Sequence, residues 1–228
     1  MTAIAGNDNY RGRDAALALL SLAAGSMDAL AFLTMGDVFT SAMSGNTILF
    51  GLALGQGRLH AASHSIAAFI GYVVGVAGAS LPLRRGARGI GRVLAVEAVI
   101  LASFAMLWTA SGAPSQAPFV YALIGLSAIA MGLQGAAARH LQVPGILTIV
   151  FTSTLTAIVA AIAERLLART RPLLDSQARR QLTMFLVYLA SAVMTGLAAP
   201  HWLAVMPFVP VAAILIVLAG LRRRWLLI

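Results

Sequence analysis

The sequence predicts an all-α polytopic membrane protein of two structural repeats, with six transmembrane helices and two re-entrant or broken segments. Three observations carry this reading. Of 228 residues, 60% are hydrophobic and 10% charged, against roughly 45–50% and about 25% in a soluble globular chain. The apolar residues gather in eight runs, near 15–33, 38–54, 64–81, 93–110, 118–138, 146–163, 182–199 and 203–221. The sixteen basic residues are all arginine and collect in short stretches between those runs. So apolar a chain cannot cover a water-facing surface, which excludes a soluble enzyme, a disordered tail and a secreted disulfide scaffold. With no cysteine, disulfides, thiolate metal sites and thiol nucleophiles are excluded too.

Taken in order, residues 1–14 are polar, show no cleavable signal pattern and are expected to form a cytoplasmic tail. The first membrane repeat follows over 15–110 and the second over 111–221. Residues 222–228 form a basic cytoplasmic tail. A crossing helix needs about 20 mostly apolar residues for a core of about 30 Å. Six uninterrupted runs satisfy this, and the length of 146–163 would also allow it to span. The runs 38–54 and 146–163 are interrupted: the first reads Phe39-Thr40-Ser41-Ala42-Met43-Ser44-Gly45-Asn46-Thr47, and the second opens with Pro144-Gly145 and carries Thr148, Thr152, Ser153, Thr154 and Thr156. Polar, helix-breaking residues at membrane depth are tolerated where they are buried in protein or line a cavity.

Arginine counting decides between the two topologies. If all eight runs cross with the N-terminus inside, eleven arginines lie inside and five outside. If the two interrupted runs enter and leave on one side, fifteen lie inside and only Arg58 outside. Arginine bias in short loops sets orientation, so the six-span arrangement is favoured over eight full spans. Both termini are then cytoplasmic, and the Ala- and Arg-rich composition suits a bacterial cytoplasmic (inner) membrane.

The halves repeat. A shift of 107 residues places Gly25, Ala29, Ala31 and Thr47 on Gly132, Ala136, Ala138 and Thr154, and a shift of 116 places Phe69 and Tyr72 on Phe185 and Tyr188. Three crossings per half would invert the halves, and inverted repeats with broken segments near the midplane mark transporters.

Candidate chemistry follows from the polar residues at depth. Asp28 lies inside the first span, among the small residues Ala24, Gly25 and Ala31. An acid there costs about 2.5–3.5 kcal/mol on insertion scales and faces a cavity or a partner. It either couples transport to a proton or cation, or caps the Ser44–Thr47 backbone or pairs with an arginine. Ser44, Gly45, Asn46 and Thr47 offer an amide with donor and acceptor and helix N–H groups for an anion. Gln134 stands one residue from the Asp28 counterpart and reads either as a site amide or as a hydrogen bond between helices, and Thr148, Thr152, Ser153 and Thr154 would either line the second half of the same cavity or bond their own helix backbone. Glu97, five residues after Arg92, reads as an interfacial partner of the arginine loop. Gly71, Gly75 and Gly78 read as a helix-packing face.

The stretch Gly25-Ser26-Met27-Asp28-Ala29, with Phe39 and Met43 to Thr47, resembles the YoaK-like bacterial membrane family, classed as a domain of unknown function. Ala130-Met131-Gly132-Leu133-Gln134 through Arg139, and Thr152 to Thr156, resemble it as well. Gly135 departs from the Asn that this family often carries after the Gln. The resemblance implies an integral membrane protein and no substrate.

The expected function is a secondary transporter or channel-like carrier of a small solute, proton-coupled through Asp28. The alternatives are a membrane-embedded enzyme on a lipid and a non-transporting membrane subunit. No phosphate loop, His-Glu-x-x-His or Gly-x-Ser-x-Gly motif occurs, so no catalytic residue, metal or cofactor is expected. Expected partners are membrane lipids, a small solute and a second copy in a homo-oligomer. Nucleic acid is not expected, because no stacking aromatics interleave the arginines.

Overall fold

The computed structural model describes residues 2–112, 119–140, 151–169, 172 and 174–222, and among these it is all-helical. The helices are α1 (Thr2–Thr34), α2 (Met43–Gly55), α3 (Leu59–Leu83), α4 (Ala87–Ser111), α5 (Phe119–His140), α6 (Phe151–Leu167), α7 (Ser176–Trp202) and α8 (Phe208–Arg222). Five described stretches are long and apolar enough to cross a membrane: Gly12–Thr34, Leu59–Leu83, Ala87–Ser111, Phe119–His140 and Ser176–Trp202. The sixth expected span, α8, has 15 described residues, about 22 Å at 1.5 Å per residue. Helix α2 has 13, about 20 Å, too short to cross straight. Helix α1 begins at Thr2, so the expected N-terminal tail is helical and continuous with the first span.

Contacts fix the running directions. Gly36, just past the end of α1, lies against the His64 ring near the start of α3, so the end of α1 and the start of α3 share one end of the bundle. Ser63 and Tyr121 join their hydroxyls at 2.5 Å, which places the start of α5 there too. At the opposite end Arg180 pairs with Asp14 at 3.0 Å, bringing the start of α7 beside the start of the first span. Gln134 Nε2 donates to the Leu20 carbonyl at 2.9 Å, so α1 and α5 run antiparallel.

Four helices, α1, α5, α4 and α8, close a ring in which each packs on the next. Its interior is the apolar core, with Leu17, Leu20 and Met27 from α1, Leu94, Leu101 and Phe104 from α4, Leu123, Ile124 and Met131 from α5, and Ile214 and Val217 from α8. Helix α3 packs on α5 and carries α2 on its flank; α7 packs on α1 and carries α6. Both flanking seams are built alike. Gly25 of α1 sits against the Tyr188 carbonyl of α7, and Gly132 of α5 sits against the Tyr72 carbonyl of α3. Each is a backbone approach that leaves no room for a Cβ. These are the residues matched by the 107- and 116-residue shifts. Gly71 and Gly75 meet Gly125 and Ile129 of α5, whereas Gly78 faces open space.

Candidate functional site

Between α1 and α2 the chain turns back into the bundle. Gly36 (φ +84°) and Asp37 (φ +57°) make the reversal in the left-handed region, and Val38, Thr40 and Ser41 are fully buried. Buried non-helical backbone needs partners for its N–H groups. Asp28 supplies them from one and a half turns below the end of α1. Its Oδ1 accepts from the Thr40 N–H (2.6 Å), the Ser41 N–H (2.7 Å) and the Thr40 hydroxyl (3.0 Å). Its Oδ2 accepts from the Ser41 hydroxyl (2.5 Å) and from the Tyr188 hydroxyl of α7 (2.8 Å). The carboxyl is 2% exposed. Thr34 and Asp28 are six residues apart, so the loop returns about 9 Å into the bundle. Helix α2 then climbs to the start of α3, and the segment 38–54 enters and leaves at one end.

Asn46 closes the same turn. Its Oδ1 accepts from the Phe39 N–H (2.8 Å) and its Nδ2 donates to the Phe39 carbonyl (2.6 Å). The Phe39 ring stacks on Phe32 with centroids 5.0 Å apart and covers Gly45, where a Cβ would press on the ring. Thr47 donates to the Met43 carbonyl at 2.9 Å, within its own helix. The amide and hydroxyl expected to bind a solute are thus bonded within the chain.

Beside them, between α2 and α3, lies a half-open cavity of about 260 Å³ lined by Asn46, Thr47, Phe50, Ser65, Ile66 and Phe69. None of these lining residues carries a charge.

The other expected site residues are dispersed. Helix α6 packs on α7 and makes no contact with α2 among the described residues, so Ser44–Thr47 and the threonines of α6 do not share a cavity there. Thr154 is buried. Thr148 and the side chains of Thr152 and Ser153 lie outside the described residues. Gln134 binds α1 through Leu20 rather than reaching α2.

Glu97 corrects its reading. It is 0% exposed and both carboxyl oxygens lack a hydrogen-bond partner. Five residues from Arg92, it sits about 140° round the helix, whereas i, i+3 and i, i+4 pairs are the ones that meet. Thr40, Ser41 and Tyr188, the donors on Asp28, were not assigned a role from the sequence. The only signal for them was a serine and threonine placed just before the Gly-Asn pair, and the tyrosine matched by the repeat.

Helices alone among the described residues, five of them long and apolar enough to cross a membrane, define a polytopic all-α membrane protein. The chain belongs to the family described as "Protein of unknown function (DUF1275)", whose model matches residues 16–221. It is similar to the UPF0700 transmembrane protein YoaK of Bacillus subtilis (strain 168), with 34% identity over 209 residues, 89% of this chain and 91% of that protein. No solved structure matches it.

Proposed function

We propose that the chain is a secondary carrier of a small uncharged solute in a bacterial cytoplasmic membrane. Both termini are cytoplasmic in this reading, and the halves form an inverted repeat. The observation that carries the reading is the buried non-helical segment 38–42, clamped at membrane depth by Asp28 and adjoining the α2–α3 cavity. Broken segments of this kind form substrate sites in transporters. The matching Gly25–Tyr188 and Gly132–Tyr72 seams and the antiparallel course of α1 and α5 support the inversion.

The cavity suggests the solute class. Its volume equals roughly nine waters at about 30 Å³ each. Phe50, Ile66 and Phe69 suit an apolar body, and Ser65 suits one hydroxyl or amide. Asp28, with both oxygens occupied by chain donors, holds the gate segment in this reading; coupling through it would require Thr40, Ser41 and Tyr188 to let go together. A lipid-acting enzyme would need a second carboxylate or a histidine on Asp28, and among the described residues neither hydrogen bonds to it. Lipids contact the exposed apolar faces of α2, α3 and α7, and a homo-oligomer would form through the same faces.

The test is stopped-flow light scattering on proteoliposomes challenged with gradients of urea, glycerol and short polyols. Wild type should speed re-swelling for at least one of them, and Gly78→Ala, outside the cavity and facing open space, should match it. Phe69→Trp, which fills the cavity, should abolish the effect. No acceleration over empty liposomes for any neutral solute would sink the proposal.

A further inference from the structure

We infer that Glu97 is a proton-binding site inside the four-helix ring, chemically separate from Asp28. This goes beyond solute carriage and holds without it. Glu97 projects from α4 and is completely buried. Neither of its oxygens has a hydrogen-bond partner. Helix α4 packs against α5, α8 and α3. The titratable and charged groups on those helices are His60, His64 and Tyr72 of α3, Tyr121, Arg139 and His140 of α5, and Arg222 of α8; α4 itself adds Arg88 and Arg92. None of them hydrogen bonds or ion-pairs with Glu97.

An ionised carboxylate in that position would have neither counter-charge nor donor, the arrangement that membrane interiors and protein cores both penalise most. A carboxylic acid avoids the penalty, because the proton removes the charge and turns the group into a donor. Acceptors are present in the same ring. Gln134 Oε1 on α5 and Ser21 Oγ on α1 are also buried without a partner. Both belong to the α1–α5 pair, in which Gln134 Nε2 donates to the carbonyl of Leu20, the chain neighbour of Ser21. The depths agree as well. Leu20 is eight residues into the first span and Glu97 ten residues into α4, about 12 and 15 Å respectively. Helices α1 and α4 start at the same end, since α3 runs opposite to α1 and α4 reverses after Gly86.

Two acids therefore sit in opposite settings. Asp28 is surrounded by five donors and works as an acceptor. Glu97 is buried with neither a donor nor a counter-charge on its oxygens, and works as a proton holder.

Glutamate labelling isolates the site, because the chain has only two glutamates, Glu97 and the exposed Glu164. The full chain, grown on 13C-glutamate and reconstituted in lipid, is read by solid-state NMR at neutral pH. The expected result is one Cδ signal at the protonated carboxyl position, lost in Glu97→Gln and kept in Asp28→Asn. If Glu97→Gln does not fold, Glu164→Gln makes the same assignment by removing the other signal. A Glu97 signal at the ionised position overturns the inference. So does a protonated signal that disappears with Glu164→Gln instead.

Discussion

Replacing Asp28 separates a clamp from a dispensable buried acid. Asp28→Ala removes the acceptor of five hydrogen bonds at once. The three hydroxyls can rotate toward other carbonyls, as Ser and Thr do in membrane helices. The Thr40 and Ser41 N–H groups cannot move, and both residues are fully buried. A buried donor left unsatisfied costs about 1–3 kcal/mol, so the two together cost about 2–6 kcal/mol, a large share of a typical stability of about 5–15 kcal/mol. Asp28→Asn behaves differently. Its amide oxygen keeps the three bonds on the Oδ1 side, and its NH2 donates to the Ser41 and Tyr188 hydroxyls, which can accept. That exchange costs about 1 kcal/mol, the scale of one ordinary hydrogen bond. The assay is thermal melting by fluorescence-detected size exclusion in mild detergent. The expected order is wild type, then Asn close behind, then Ala far below or aggregated. An Ala variant that melts with wild type would refute the clamp, because the loop N–H groups would then have found other partners.

Further outcomes follow from the close seams. Gly25→Ala and Gly132→Ala each drive a Cβ into a facing tyrosine carbonyl and should lower stability by about 1–3 kcal/mol apiece, as overpacking does; Gly78→Ala, facing open space, should be silent in the same melt. Gly36→Ala adds the left-handed backbone penalty of about 1–2 kcal/mol to a collision with the His64 ring, while Gly57→Ala at φ +69° with open surroundings carries the backbone part alone. A single cysteine at Gly57 should react with an impermeant maleimide on intact cells and one at Ala87 should not, because α3 carries the chain from one end of the bundle to the other; labelling at 87 alone would reverse the proposed orientation.

The class and the helix order were legible because membrane helices must satisfy their own backbone, and that leaves long apolar runs with arginines between them. Asp28 was legible as a buried acid for the same reason. Which partner it took was not, since Thr40 and Ser41 reach it only through a reversal made by Gly36 and Asp37, and hydropathy carries no information about such a turn. The partner of Asn46 was not legible either. An amide in a Gly-Asn pair has the same donor and acceptor whether it meets a solute or the Phe39 backbone, and the seven-residue spacing between Phe39 and Asn46 does not distinguish them. Glu97 was misplaced because nearness in sequence to the arginine loop was weighed above helical phase. Among the described residues the two broken segments do not meet, and the reason is topological. Each half swaps its third helix onto the first helix of the other half, so α2 and α6 ride out on opposite flanks with α3 and α7.

That swap gives the Tyr188 hydroxyl a particular weight. The two flanking seams share a glycine against a tyrosine carbonyl, but their chemistry differs. The α1 side has an aspartate for Tyr188 to bond, whereas the α5 side has Gln134 bonded to α1 instead. The first re-entrant segment is therefore tied to the second half of the chain through the Tyr188–Asp28 hydrogen bond, and α7 cannot slide along α1 without breaking it. Tyr188→Phe tests this link. The ring packing and the Gly25 contact with the backbone survive, the Asp28 Oδ2 keeps the Ser41 hydroxyl at 2.5 Å, and the loss should be about 0.5–1.5 kcal/mol, the net worth of one bond. Stability should thus change little. Motion should change more, read as faster amide hydrogen exchange at Thr40 and Ser41, whose N–H groups stay protected only while Asp28 is held in place. Unaltered exchange at both residues would mean that α1 alone positions the acid, and that the halves are joined by packing rather than through Asp28.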